Sequence, residues 1–362
     1  MRILFVHTIA PNKYGGGERW VVKAASGLKN AGHQVFVASW SGSVLLKEAR
    51  QAGVSTAAFN IFSDLSIYQA IRLARFIRKH KIEAVVSKRR DLAVAGMAAR
   101  WAGNPVVLVR SGSPPQRSVA KHVFLMRNLA AGIVTNTLSI KEFYLDHGLP
   151  PTDFIRVIYN GLKLYDNIES YDFSDEFPGK KIILCLGRVV SDKGYYHLID
   201  ALQLIKKKDP DILAYVIGEG KDKTKMKSYA GTKGVEEMIY FAGYKSFPVP
   251  YIKGCHLFLH PSLYEGMPNA PMEAMAYGKP VIMTRVNGAD ELSNDGKNAV
   301  LIPPASSQAI ADAVISYFDK PEAYVSMAQS ARKFVREKFT MDVMVKQLEQ
   351  FILDKKMKGN DC

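Results

Sequence analysis

The sequence predicts an α/β protein made of two doubly wound, Rossmann-like domains. Short runs of β-branched and aliphatic residues alternate with amphipathic helical segments along most of the 362 residues, and this alternation is typical of βαβ units in a parallel sheet. A polar, acidic stretch at 166–180 interrupts the alternation once, after which the pattern restarts. Ligands bind outside the carboxyl ends of the strands in such sheets. We therefore expect two parallel-sheet domains facing each other across a cleft.

The first domain is expected to span residues 1–165. Helical segments such as Tyr68–His80, where apolar residues recur at helical spacing, separate its predicted strands. These strands are Ile3–His7, Gln34–Trp40, Thr56–Ile61, Ala84–Ser87, Val106–Arg110, Gly132–Asn136 and Arg156–Tyr159.

The second domain is expected to span residues 181–340, with 166–180 as the linker between domains. A last helical run, about 341–362, is long enough to return to the first domain. Two of the predicted helices are Tyr195–Lys206 and Ala270–Tyr277. The predicted strands are Ile182–Leu186, Leu213–Ile217, Met238–Phe241, Leu257–His260, Val281–Thr284 and Val300–Ile302.

Positive charge is concentrated in the first half of the chain. The whole sequence holds 49 Lys and Arg against 34 Asp and Glu, a net charge of +15, and residues 1–150 alone hold 21 against 7. Such asymmetry indicates a negatively charged partner, namely nucleic acid, acidic lipid headgroups or a phosphorylated substrate; a merely solvated basic face is the alternative. Because the sequence has no recognition helix, zinc module or aromatic RNA-binding signature, we expect no nucleic acid partner.

Cysteine content and hydropathy exclude several protein classes. Cys185, Cys255 and Cys362 form no CxxC pair, so neither a disulfide framework nor a zinc site is predicted. No apolar run reaches the 18 or more residues of a membrane span. These features predict a cytoplasmic protein without a metal site.

Three adjacent glycines follow the first predicted strand and precede a helix expected near Arg19. Gly15, Gly16 and Gly17 would let backbone amides approach an anion at a helix N-terminus. The spacing is not the G-x-G-x-x-G of dinucleotide-binding proteins. A flexible turn is the alternative interpretation.

A second glycine-flanked loop, Gly187–Gly194, leaves a buried strand and enters a helix. It carries Arg188 and Lys193. Arginine can bind two oxygens of a phosphate with its fork, and lysine adds a point charge. The loop therefore predicts a diphosphate site, with a solvated basic turn as the alternative.

Two glutamates with seven residues between them, in the segment after the predicted strand Leu257–His260, form the third motif. Glu265 lies in the loop, and Glu273 is expected to project from the first turn of the helix that follows. Two carboxylates can accept hydrogen bonds from pairs of sugar hydroxyls. Acid/base catalysis as in glycosidases and simple stabilisation of the helix dipole are the alternatives.

In these motifs the chain resembles the retaining family 4 glycosyltransferases, which have the GT-B fold. The similarity covers nearly the whole chain, and its motifs occur in the order of the family. They are GGGER at 15–19, IYNG at 158–161, GRVVSDKG at 187–194, VIGEG at 216–220, the pair Glu265 and Glu273 within EGMPNAPMEAMAYGKPV, and NGADEL from Asn287.

The resemblance implies that the protein uses a nucleotide-diphosphate sugar as co-substrate and needs no cofactor. We expect this co-substrate to be a UDP-sugar. Arg188 and Lys193 would hold the diphosphate, Glu273 the ribose, and Glu265 the donor sugar. Backbone amides after Glu265 would help to orient that sugar. On this basis the expected catalytic residues are Glu265, Arg188 and Lys193, and the further donor-binding residues are Gly15, Gly16, Gly17, Gly266, Met267 and Glu273. Transfer of a hexosyl group would proceed with retention of configuration and without a metal ion.

The basic first domain would bind the acceptor, which the resemblance implies is a glycan or glycolipid of bacterial lipopolysaccharide or other cell-surface polysaccharide. Peripheral contact with an anionic membrane, at the inner face of the cytoplasmic membrane, is a further expectation. Family relatives often carry a histidine where this chain has Arg110 and Ser111. A nucleotide-sugar epimerase or other GT-B enzyme and, more remotely, a non-enzymatic polyanion-binding protein are the alternatives. The expected acceptor-side residues are Lys88, Arg89, Arg90, Arg110 and Ser111.

Overall fold

The computed structural model describes residues 1–115, 117–150 and 153–360. The chain divides into two compact units. Unit 1 comprises Met1–Leu162 together with the C-terminal segment from Phe339 onward, and unit 2 comprises Lys163–Lys338. The last two residues of the helical run expected over 341–362, which include Cys362, lie outside the described residues.

Unit 1 is built on a parallel sheet with helices on both faces. Within the described residues the sheet has seven strands in the order β3-β2-β1-β4-β5-β6-β7. The strands are β1 (Arg2–Val6), β2 (Gln34–Ser39), β3 (Ser55–Ala58), β4 (Ala84–Lys88), β5 (Val106–Ser111), β6 (Gly132–Thr135) and β7 (Ile155–Val157). The helices are α1 (Gly16–Asn30), α2 (Val44–Gln51), α3 (Ile67–Lys79), α4 (Leu92–Trp101), α5 (Val119–Leu129) and α6 (Leu138–Asp146).

Helix α1 begins earlier than the sequence predicts, and the reason is local hydrogen bonding. The Glu18 carboxylate folds back to accept a hydrogen bond from the Gly15 backbone N–H at 2.8 Å, which stabilises the first turn. Gly15 is the extended N-cap residue, with φ −138°. Gly16 and Gly17 therefore lie in the first turn of α1 and not in a free loop.

Unit 2 repeats the same plan. Within the described residues its parallel sheet has six strands in the order β10-β9-β8-β11-β12-β13. The strands are β8 (Lys181–Leu186), β9 (Ile212–Ile217), β10 (Ile239–Gly243), β11 (Leu257–His260), β12 (Val281–Thr284) and β13 (Val300–Ile302). The helices are α7 (Tyr195–Lys206), α8 (Lys223–Thr232), α9 (Val249–Gly254), α10 (Asn269–Ala276), α11 (Ala289–Ser293), α12 (Ser307–Asp319) and α13 (Val325–Lys338).

The acidic stretch 166–180 belongs to unit 2 and packs against it through aromatic rings. The Tyr171 ring stacks on that of Tyr251 at 4.4 Å, and Phe173 packs edge-on against Tyr215 at 5.0 Å. The Tyr171 backbone N–H donates to the Pro250 carbonyl. These apolar anchors fix a segment whose composition alone suggests a solvated linker.

The last helix, α14 (Met341–Asn360), packs on the sheet of unit 1. Its residues Leu348, Phe351 and Ile352 are fully buried in the same core as α1 and α2. Helices α3 to α6 contribute to the core on the opposite face of the sheet. The first sheet is therefore covered on one face by a helix that is remote in sequence.

Each sheet contains a switch point. This is a pair of neighbouring strands from which the strand order continues toward opposite edges of the sheet. In unit 1 this is the boundary of β1 and β4, and in unit 2 it is the boundary of β8 and β11. Loops leave the sheet on both sides of such a boundary and open a crevice at the carboxyl ends, which is where α/β sheets bind ligands. The candidate site residues are found at these two places.

Candidate active site

Glu265 is the centre of a polar cluster at the switch point of unit 2. Its Oε1 atom accepts hydrogen bonds from Lys193 Nζ at 2.5 Å, His260 Nε2 at 2.8 Å and Ser262 Oγ at 2.9 Å. Lys193 ends the loop after β8, whereas the other three residues end or follow β11. The two loops that flank the switch point are therefore joined through one carboxylate oxygen.

The cluster keeps Glu265 ionised. Burial alone would raise its pKa, but the hydrogen bond from His260 and the charges of His260 and Lys193 outweigh burial and hold the pKa at about 2. At neutral pH the side chain is thus a hydrogen-bond acceptor and not a proton donor. The acid catalyst of a glycosidase needs a raised pKa, so this environment does not suit the glycosidase alternative.

The loop Gly187–Gly194 is held by backbone hydrogen bonds to both neighbouring loops. Val189 N–H donates to Glu219 O, and Leu263 N–H donates to Asp192 O at 2.9 Å. Gly194 adopts φ +71°, and a Cβ atom there would lie 1.9 Å from the Pro261 carbonyl oxygen. The loop can pack this closely because residue 194 has no side chain.

Gly194 is also the N-cap residue of α7, and it has no side chain with which to cap the first turn of that helix. Unpaired backbone N–H groups at a helix N-terminus attract anions. Lys193 immediately precedes this turn, and its Nζ uses one of three N–H donors on Glu265. The arrangement is therefore suited to an anionic group such as a diphosphate.

Lys193 contacts Glu265 directly, whereas Arg188 is paired within its own loop and Glu273 lies on α10. The Arg188 side chain is 72% exposed, and its guanidinium lies 3.8 Å from Asp192 Oδ2. Glu273 is half-buried, and it is the fifth residue of α10, since that helix begins at Asn269. The helix begins one residue earlier than the predicted Ala270, so Glu273 starts its second turn and does not lie in the first turn as expected. Met267 is buried and Gly266 half-buried in the loop before α10.

A second polar cluster lies at the switch point of unit 1, around Glu18. Its Oε1 accepts a hydrogen bond from His7 Nε2 at 2.7 Å and lies 3.7 Å from Lys88 Nζ. Arg110 contributes charge to the same cluster and stacks over the Trp20 ring at 4.4 Å. Three elements, β1, α1 and β4, thus meet at one buried carboxylate.

The ionisation of this cluster is fixed by burial and pairing. Burial lowers the pKa of His7 to about 4, against the opposing hydrogen bond to Glu18. Burial would raise the pKa of Glu18, but His7, the Gly15 N–H and Lys88 hold it at about 2. Burial also lowers the pKa of Arg110, to about 10. At neutral pH the cluster therefore has a neutral imidazole, a carboxylate and an arginine cation.

Asp91 fixes the start of the loop after β1. Its carboxylate accepts hydrogen bonds from the Thr8 backbone N–H at 2.7 Å and from the Thr8 hydroxyl at 2.5 Å. Burial raises the pKa of Asp91 to about 6, although these hydrogen bonds oppose the increase. The contact joins the two loops of the unit 1 switch point, as Lys193 and Glu265 do in unit 2.

The remaining acceptor-side residues lie in varied environments. Arg89 donates hydrogen bonds to Ser111 Oγ at 3.1 Å and to the Ser113 carbonyl, and Ser111 Oγ is bonded to the Tyr144 hydroxyl at 2.7 Å. Arg89 and Ser111 thus support the loop after β5. Arg90 is exposed.

Several site residues were not singled out by the sequence analysis. His7 and Asp91 at the first switch point, and His260 and Ser262 at the second, each end a strand or follow one closely. That position at a switch point is a signal that can be read from the strand order. The sequence does not reveal which side chain each one contacts.

The described ranges contain neither a cluster of metal-ligating side chains nor a helix that could span a membrane. In residues 1–115, 117–150 and 153–360, no group of three or more His, Cys, Asp or Glu side chains is arranged to hold a metal ion. Over the same ranges, no helix combines the length and apolar character needed to cross a bilayer.

Two family models match consecutive parts of the chain. The model described as Glycosyltransferase Family 4 matches residues 14–164, and the model described as Glycosyl transferases group 1 matches residues 167–334. The first match covers most of unit 1, and the second covers most of unit 2.

Curated relatives agree with these models. An uncharacterized glycosyltransferase of Methanocaldococcus jannaschii is 28% identical over 226 residues, which are 60% of this chain and 57% of the relative. The lipopolysaccharide core biosynthesis glycosyltransferase LpsE of Rhizobium meliloti is 27% identical over 186 residues, 50% of this chain and 52% of the relative. The chain thus spans about half the length of the curated relatives it matches.

Among solved structures, the chain is similar to Anabaena HepE in complex with UDP. The TM-score is 0.86 at 20% sequence identity, and the match covers 98% of this chain and 100% of HepE. This similarity and the two parallel sheets confirm the predicted α/β class and GT-B type of fold. By the two family models, which together match residues 14–164 and 167–334, the chain belongs to the group 1 glycosyltransferases.

Proposed function

We propose that the protein transfers a sugar from a nucleotide-diphosphate sugar to a glycan or glycolipid acceptor, with retention of anomeric configuration. The observation that carries the proposal is the cluster of Lys193, Glu265, His260 and Ser262 at the carboxyl ends of β8 and β11. It places an ionised carboxylate beside a lysine cation and a helix N-terminus. These are the groups needed to bind a sugar hydroxyl and a diphosphate side by side.

The roles follow from the charges. Lys193 and the first turn of α7 bind the diphosphate, and Arg188 adds its exposed guanidinium. As the sugar–phosphate bond breaks, negative charge develops on the leaving diphosphate, and preplaced cations stabilise it. We propose that they do so without a metal ion. Glu265 accepts hydroxyl hydrogen bonds from the donor sugar, and Glu273 accepts those of the ribose.

The donor is proposed to be a UDP-sugar, and the acceptor a bacterial cell-surface saccharide such as lipopolysaccharide core. HepE was crystallised with UDP, and LpsE is named for lipopolysaccharide core biosynthesis. Both names support the proposal by similarity. The basic half of the chain suits an acceptor that carries phosphate.

Thermal unfolding with UDP-, GDP- and ADP-sugars tests the donor site, since a ligand that binds the folded state raises the Tm. We expect UDP-sugars to raise the Tm and to be hydrolysed slowly, with EDTA having no effect. Arg188→Ala and Glu273→Ala should weaken both responses, whereas Lys207→Ala, at an exposed position of unit 2, should not. Unchanged turnover in the first two variants would refute the assigned roles.

A further inference from the structure

Unit 1 exposes a compact set of large apolar side chains on one helix and the loop before it. In the loop, Phe62 is 64% exposed and Leu65 is 83% exposed. On the first turns of α3, Ile67, Tyr68 and Ile71 are exposed by 55%, 70% and 39%. Such a density of exposed apolar side chains within ten residues marks an interaction surface.

Helix α5 contributes to the same surface. Lys121 Nζ forms an ion pair with Asp64 Oδ2 at 2.5 Å, so the start of α5 lies beside the loop before α3. Phe124, three residues further along α5 and therefore on the same helix face, is 65% exposed. We call the side chains of Phe62, Leu65, Ile67, Tyr68, Ile71 and Phe124 the apolar patch.

Cations lie directly behind the apolar patch. Arg72 and Arg75 on α3 and Arg127 on α5 are exposed, and Asp64, the acidic group inside the patch, is paired with Lys121. Arg75 lies about 10 Å along α3 from Tyr68, at 1.5 Å rise per residue. If α3 meets the bilayer with its N-terminal end foremost, an insertion depth of about 5–10 Å leaves Arg75 at the level of the headgroups.

We infer that the apolar patch and the cations behind it dock unit 1 on an anionic lipid bilayer. A membrane surface supplies acyl chains for the patch and negative headgroups for the cations. A second copy of the chain docked symmetrically on this patch would bring arginines of the two copies together, which disfavours self-association. The surface differs from the Lys88–Arg90 segment expected from the sequence, where Arg89 is engaged in internal hydrogen bonds.

The apolar patch lies at the same edge of the unit 1 sheet as the cations Lys88 and Arg110. The loop before α3 follows β3, and α5 follows the loop after β5, so both lie at the carboxyl edge of the sheet. Lys88 and Arg110 lie at the same edge, at the ends of β4 and β5. A phosphorylated lipid acceptor anchored in the bilayer would thus present its headgroup on the side of unit 1 that carries these cations. This inference rests on the proposed glycolipid acceptor.

Vesicle binding of the purified full chain tests the surface without donor or acceptor. We expect sedimentation with vesicles of phosphatidylcholine and phosphatidylglycerol, at least about tenfold weaker binding to phosphatidylcholine alone, and weaker binding at high salt. The double variant Leu65→Ser with Phe124→Ser, and the double variant Arg75→Glu with Arg127→Glu, should each lower affinity for the anionic vesicles by about tenfold or more.

Matched controls use other exposed positions, away from the apolar patch. Met357→Ser with Val325→Ser removes apolar side chains that are 60% and 51% exposed, and Lys207→Glu with Lys227→Glu repeats the charge change on exposed lysines of unit 2. The affinity of both controls for anionic vesicles should stay within about twofold of that of the parent protein, because substitutions at exposed positions outside the binding surface have small effects. If the double apolar variant failed to fold, Leu65→Ser alone would serve.

Three outcomes would overturn the inference. They are no binding of the parent protein to anionic vesicles, equal losses in the patch and control variants, or self-association that the patch variants abolish without any vesicle binding. Hydrolysis of UDP-sugar in solution is measured in parallel for every variant. Retained hydrolysis without vesicle binding rejects the membrane surface alone, whereas absent hydrolysis with intact vesicle binding rejects the proposed function alone.

Discussion

The two switch points of the molecule share a design but differ in how far the central carboxylate is exposed. Glu265 in unit 2 and Glu18 in unit 1 each accept a hydrogen bond from a histidine, and each has a pKa held at about 2. The Glu265 side chain is 16% exposed, whereas that of Glu18 is 7% exposed and also bonds the N-cap of its own helix. Glu265 is therefore the more accessible of the two carboxylates, while Glu18 joins elements of its own unit.

The cations differ in the same way. Lys193 contacts Glu265 directly at 2.5 Å, whereas Lys88 lies 3.7 Å from Glu18. In unit 1 a second cation, Arg110, is placed by stacking on Trp20, so positive charge there exceeds what Glu18 can pair. The first switch point thus suits an anionic acceptor, and the second a diphosphate beside a sugar.

The largest expected effect comes from Lys193→Met. Loss of a preplaced cation at the leaving diphosphate should lower kcat for UDP-sugar hydrolysis and transfer by about 10²–10³-fold. Folding should survive, because His260 and Ser262 still donate to Glu265. Steady-state kinetics with Lys88→Met as the matched change in unit 1 measure the contrast.

We expect Lys88→Met to impair transfer to the acceptor more than hydrolysis of the donor. If both variants lowered hydrolysis equally, the division of labour between the switch points would be wrong.

Much of the fold could be predicted from the sequence. Alternating apolar runs gave most strand positions within one or two residues, and Tyr195–Lys206 and Leu257–His260 agree with the structure at both ends. These segments are buried and strongly periodic, so tertiary contacts reinforce the local pattern. The third strand, expected at Thr56–Ile61, ends at Ala58, because the apolar residues Phe59 and Ile61 pack in the core from the following loop.

The polar clusters were harder to predict. A glycine-flanked loop and the resemblance single out Lys193 and Glu265 as candidate residues, whereas His260 resembles a buried strand residue in the sequence. Its role depends on Glu265 folding back over the end of β11. The apolar patch was also missed, since Ile67 and Ile71 fit the amphipathic pattern and only packing decides which helix face is covered.

The next prediction compares two glycines by the effect of an alanine substitution on stability. Gly194 lies in the loop before α7, and Gly17 lies in the first turn of α1. A Cβ atom at Gly194 would meet the Pro261 carbonyl at 1.9 Å, at a φ of +71°, so Gly194→Ala should lower the free energy of unfolding by about 2–4 kcal/mol. At Gly17 a Cβ atom would lie 3.6 Å from His7, an ordinary contact.

Because Gly17 lies in the first turn of α1, Gly17→Ala should leave stability unchanged or raise it by up to about 1 kcal/mol. Urea unfolding of both variants measures the difference, and Gly231→Ala, in the open part of α8, is the helical control. Equal destabilisation at Gly17 and Gly194 would show that the first turn of α1 is as constrained as the loop Gly187–Gly194.

The smallest effect is a difference in acid sensitivity. The pKa of His7 is lowered from 6.5 to about 4, so the unfolded chain binds a proton before the folded chain does. The stability that His7 contributes as a neutral donor is therefore present above pH 6.5 and is lost as the pH falls toward 4. For Glu265, whose pKa is lowered from 4.5 to about 2, the loss begins only below about pH 4.5.

His7→Gln should consequently flatten the decrease in unfolding free energy between pH 6.5 and pH 4 by about 1–3 kcal/mol, while Glu265→Gln should leave that interval unchanged and flatten the curve below it. His147→Gln, at an exposed position of α6's C-terminal end, controls for the loss of a histidine. Chemical unfolding at a series of pH values gives all the curves. If His7→Gln kept the full slope of the parent protein, burial would not hold the imidazole neutral, and the first switch point would carry more positive charge than the lowered pKa of His7 implies.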